Sequence, residues 1–141
     1  MKFSKHQFTE VAFIFERANG SSHSEYEKQI IAESKLTEYE TSELERLIVD
    51  GISNGIYKEE EERISAYWTL SKIGNRNLIS DFQKWLNIEL ENDNSIAVFQ
   101  LLIALDRLEE PVFNKTRTGQ GANETELNIR DAKQYLNKYS C

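Results

Sequence analysis

Apolar residues in this chain recur every three or four positions in seven separate stretches, and no stretch alternates in the manner of a strand. Ser4 is placed to cap the first, whose stripe of Phe8, Val11, Ala12 and Phe15 stops at Asn19-Gly20. The second runs from about Ser24 to Lys35, with Tyr26 and Ile30 expected inward. The third begins at Thr41, sets Leu44, Leu47, Ile48 and Ile52 on one face and ends at Asn54-Gly55. Four glutamates open the fourth, Glu59 to Ile73, where they suit the positive end of a helix dipole. Its apolar face is Ile64, Tyr67, Trp68, Leu70 and Ile73, and Gly74 is a C-terminal stop. The fifth, about Leu78 to Glu91, buries Ile79, Phe82, Trp85 and Leu86, while the sixth, Ser95 to Leu108, is apolar on nearly every side and reads as the central helix. Pro111 follows it. The polar stretch Asn114 to Asn123 has no period and reads as a mobile loop, in which Lys115 and Arg117 offer a second contact surface. Asn123 or Thr125 then caps a last helix with Ile129, Ala132, Leu136 and Tyr139 in line.

The pattern predicts an all-α protein of about seven helices in a single domain spanning residues 1–141. One proline and six glycines agree with long helices and few turns. A chain of 141 residues buries about two-thirds of its unfolded surface. Ala66, Leu70, Ile73 and Arg76 match Leu101, Leu105, Leu108 and Pro111 at a constant offset of 35 residues. The words AYWTLSKIGNR and FQLLIALDRLEEP resemble the first helix and turn of HEAT-like α-helical repeats. That resemblance covers about residues 59–111 and implies stacked helix pairs; an irregular bundle is the alternative.

Charge changes the picture more than composition does. The net charge is −7, yet residues 25–62 hold twelve acids against Lys28, Lys35, Arg46 and Lys58, a local balance of −8 that leaves +1 for the rest. Such runs are often only solvated helix faces. Crowded like charges nonetheless destabilise a fold, and a one-sided acidic surface complements a basic partner. The same field disfavours nucleic acid and anionic membrane, whose phosphates it repels. No run reaches the roughly 20 apolar residues of a membrane span, and the start MKFSKHQF has no signal-like apolar stretch. Cys141 is the single cysteine and has no internal disulfide partner. A cytoplasmic location is expected.

Candidate chemistry is sparse. His6 and His23 have no second histidine or cysteine at ligand spacing, and Glu59 to Glu62 are consecutive and point round a helix, so no metal site and no cofactor are expected. Gly119-Gln120-Gly121 lacks the strand and lysine of a phosphate cradle. Arg17 and His23 enclose five residues (RANGSSH), a spacing that resembles the arginine–histidine motif of helical HEPN ribonucleases. That resemblance implies RNA cleavage, but Ala18 stands where the family usually has a polar residue and an acidic chain repels RNA.

In size, acidity, helical content and lack of catalytic motifs the chain resembles immunity proteins of contact-dependent growth inhibition and related polymorphic toxin systems. The resemblance implies a non-enzymatic inhibitor that covers the active site of a basic toxin domain, a nuclease in the first instance. A helical-repeat adaptor for cytoplasmic proteins is the alternative, and a HEPN-like ribonuclease the third reading. The expected partner-binding residues are Glu38, Tyr39, Glu40, Glu43, Asp50, Tyr57, Glu59, Glu60 and Glu61, the two tyrosines as aromatic anchors beside carboxylates.

Overall fold

The computed structural model describes residues 1–20 and 23–138, and among them every regular element is helical. Seven α-helices follow in order: α1 (Lys5–Ala18), α2 (Glu25–Glu33), α3 (Thr41–Ser53), α4 (Glu60–Leu70), α5 (Ile79–Glu91), α6 (Ser95–Arg107) and α7 (Thr125–Asn137). Short 3-10 turns cover Lys35–Glu38 and Arg76–Leu78. The protein is all-α, as the apolar spacing predicts. Tyr139 and Cys141 lie outside the described residues. The chain divides into two compact units, Met1–Gly74 and Asn75–Cys141.

In the first unit α1 packs against α2, α3 and α4. Phe8, Val11, Ala12 and Phe15 are buried as their spacing requires, and Ile14 joins them. Burying each large apolar side chain stabilises the fold by roughly 1.5–3 kcal/mol. Ser4 begins α1 through a capping box: its hydroxyl accepts from the Gln7 N–H at 3.2 Å, and Gln7 Oε1 accepts from the Ser4 N–H at 2.9 Å. Ser24 and Glu27 repeat the device on α2. Phe3, Phe8 and Tyr57 form an aromatic cluster with centroids 5.7 and 5.3 Å apart. The helix α4 stops at Leu70, short of the expected Ile73. Asn19 accounts for this: its side-chain amide donates to the carbonyls of Lys72 (2.7 Å) and Ile73 (2.9 Å), groups that a longer helix would otherwise have to satisfy.

In the second unit α6 lies against both α5 and α7, and buries Ala97, Val98, Leu101, Leu102, Ala104 and Leu105. It is the centre of that unit. The words of the expected repeat therefore have different surroundings: α4 packs on α1 and α3, whereas α6 packs on α5 and α7. The start of α7 also differs from expectation, since Glu124 occupies the N-cap position and no side chain caps it.

The polar stretch before α7 is tied down rather than free. Arg117, expected as a surface cation, is only 1% exposed at its side chain. Its guanidinium meets Asp131 at 3.1 Å, Asn128 Oδ1 at 2.9 Å and Glu124 at 3.2 Å, and stands 5.3 Å from the Phe113 ring centroid. Asn128 Nδ2 returns a bond to the Gly121 carbonyl at 3.0 Å, and Arg130 holds the other oxygen of Asp131 at 2.9 Å. A buried carboxylate needs such partners. Asp131 obtains them by drawing the polar loop onto α7.

Candidate acidic interface

The acidic surface belongs to the first unit and is built along α3. Leu44, Ile48, Gly51 and Ile52 turn inward there, which leaves Glu43 and Asp50, seven residues apart, on the exposed side. Glu38 ends the preceding 3-10 turn, Tyr39 follows it, and Glu40 takes the N-cap position of α3. Glu38, Tyr39 and Glu40 line a groove of about 350 Å3 together with Ile14 and Arg17 at the end of α1. Tyr39 is 36% exposed, so an accessible aromatic ring and two carboxylates share one concavity.

The glutamates of α4 lie at the other end of α1. Glu61 and Glu62 border a smaller groove, of about 120 Å3, with Phe3, Lys5 and Phe8. Lys5 and Arg17 are twelve residues apart on one helix, so these grooves are offset by roughly 18 Å along its axis. The acidic band of the sequence thus falls into two groups, Glu38, Glu40 and Glu43 towards one end of α1 and Glu59 and Glu61 towards the other. The α4 acids are partly committed to structure. Glu62 Oε1 accepts from the Glu59 N–H at 3.2 Å in a capping box, and its other oxygen holds Lys2 at 2.9 Å. The Lys2 ammonium first, and the Glu59 amide second, keep the Glu62 carboxyl below the usual carboxylate range. Glu60 is half-buried, and Glu59 is exposed.

Tyr57 does not belong to this surface. It is 2% exposed, its hydroxyl accepts from the Phe3 N–H at 3.1 Å, and its ring packs on Phe8. Its place beside Lys58 and Glu59 suggested an interface anchor, but the ring folds under α3 instead. There it lies so close that a Cβ on Gly51 would come within 2.8 Å of it. Burial pushes the Tyr57 phenol above its ordinary pKa.

The arginine and the histidine of the ribonuclease-like spacing have different surroundings. Arg17 lines the Tyr39 groove, whereas the His23 side chain is 3% exposed, edge-on to Phe13 at 5.9 Å, with Nδ1 at 3.3 Å from Glu27. Ser21 and Ser22 of that motif lie outside the described residues. Glu27 is held below the usual carboxylate range by the Ser24 amide and hydroxyl, with His23 adding to them. Tyr26, expected inward, instead projects from α2 into solvent. No group of three or more His, Cys, Asp or Glu among the described residues is arranged to hold a metal ion, and no described helix is long and apolar enough to cross a membrane. Comparison with protein-family models, with curated proteins and with solved structures finds no match to this chain.

Proposed function

We propose that this protein is an inhibitor that binds a basic protein partner, in the manner of an immunity protein neutralising a toxin domain, with a nuclease as the first candidate. One observation carries the reading. Glu38, Glu40, Glu43, Asp50 and Glu61 are all exposed on the first unit, and among the described residues no ion pair neutralises them. Exposed carboxylates in that number repel one another and contribute little to the fold. A surface of lysines and arginines relieves the repulsion, and the carboxylates stand in for substrate phosphates in the cleft they cover.

The band sets encounter rate and orientation, since rim charges act mainly on association. Affinity then needs a desolvated centre, and the groove beside Tyr39 supplies an aromatic ring for it. The protein performs no reaction in this scheme. Its action is steric and electrostatic.

The test is a charge reversal. Glu38, Glu43, Asp50 and Glu61 replaced together by lysine are expected to slow association with a basic nuclease toxin domain by about 10- to 1,000-fold. The variant is also expected to flatten the salt dependence and to abolish protection of cells exposed to the toxin. The control reverses Lys133 of α7 and Lys138 at its C-cap, which leaves protection intact. Equal protection by both variants would reduce the band to a solvated face.

A further inference from the structure

A third concavity lies between α1 and α2, with a volume of about 400 Å3. His6 and Glu10 of α1 line one side, and Tyr26, Gln29, Ile30 and Glu33 of α2 the other. None of these belongs to the acidic band described above. Two features set the groove apart from an ordinary crevice. The first is Glu10, a residue only 9% exposed, whose partner among the described residues is the imidazole of His6 at 3.1 Å. That ring is open to solvent and is charged only when protonated. Beside a largely buried carboxylate, a cation of permanent charge offsets desolvation more fully than an imidazole does.

The second feature is Tyr26. At 72% it is the most exposed of the large apolar side chains described, and it stands at the wall of the same groove. An aromatic face beside a buried carboxylate is the arrangement that recognises an organic cation. Glu33 adds a second carboxylate, which accepts from Gln29 Nε2 at 2.9 Å and is held in place without being neutralised.

We propose that this groove seats one arginine side chain of the basic protein partner, the guanidinium forking between Glu10 and Glu33 while its face lies against Tyr26. The proposal rests on the reading of the chain as a binder of basic proteins and names the point at which the partner is gripped. Arginine fits better than lysine because its planar fork meets two carboxylates and stacks on a ring at once, whereas an ammonium is a point charge.

The probe is acetyl-Gly-Arg-Gly-amide titrated into the full chain and followed by amide NMR, with the citrulline peptide as its uncharged twin. The arginine peptide is expected to bind with millimolar affinity and to shift amides of residues 6, 10, 26, 29, 30 and 33. The citrulline peptide is expected to bind at least about tenfold more weakly. Glu10→Gln should weaken the arginine peptide about tenfold and Tyr26→Ala about threefold to fivefold. Glu33→Gln, on an exposed site, provides the same reading at smaller size should Glu10→Gln fail to fold. Equal shifts from both peptides, or shifts spread along Glu43 and Asp50 with none in the groove, would overturn the proposal. Failure of the inhibitor reading is separately visible: the peptide seats in the groove, yet reversing the acidic band leaves toxin protection unchanged.

Discussion

Gly51 has no room for a side chain, although it sits inside a helix where glycine is unfavourable. Alanine there would gain about 1 kcal/mol of helix propensity, but its Cβ would stand 2.8 Å from the Tyr57 ring and 3.1 Å from Ile56. Overpacking typically costs about 1–3 kcal/mol, so Gly51→Ala is expected to lower the urea midpoint rather than raise it. Tyr57→Phe tests the other half of the contact. It leaves the Phe3 amide without its acceptor, an expected loss of about 1–3 kcal/mol. The pH dependence has a definite sign. With its pKa raised in the folded state, Tyr57 contributes stability that is complete below the unfolded value of about 10 and is lost as pH rises through the folded value. Alkaline melts of the Tyr57→Phe variant should lack that decline. None of this was legible in the sequence. Tyr57 follows α3 on a turn with no period to place it, and its partner Phe3 is 54 residues away.

Helices and their ends were largely legible, because spacing and caps are local properties. Ser4 with Gln7 and Ser24 with Glu27 announce α1 and α2 within four residues of sequence. Ser4→Ala should therefore cost about 0.5–2 kcal/mol, measurable by chemical denaturation. What failed was decided by distant partners. The helix α4 ends early through Asn19, and Arg117 is buried because Asp131 and Asn128 on α7 receive it. In sequence, NKTRTGQGAN has the composition of a loop, and composition carries no sign that its arginine answers a carboxylate fourteen residues on. Arg117→Met would leave Asp131 with Arg130 as its remaining ionic partner, with an expected loss of about 1–3 kcal/mol. Adding Asp131→Leu should recover a large part of it. A double variant no more stable than Arg117→Met would show that the pair is not what holds the loop to α7.

At the scale of the molecule, the division at Gly74 makes separate stability of the two units measurable. Hydrogen exchange is expected to sort the amides into two cooperative sets, with Gly51→Ala speeding exchange within residues 1–74 and Arg117→Met within 75–138. A single set responding to both variants would mean that the chain opens as one body. The acidic band lies wholly in the first set and the Arg117 network wholly in the second, so a change in stability and a change in binding can be introduced apart. The tryptophans make this practical. Trp68, half-buried with the Lys72 ammonium 5.1 Å from its ring centroid, belongs to the first unit, and Trp85, buried against Phe82, belongs to the second. The chain thus carries one tryptophan in each unit. Replacing either by phenylalanine leaves the other to report its own surroundings, and the emission of Trp68 alone can follow a partner arriving at the acidic unit without any attached dye.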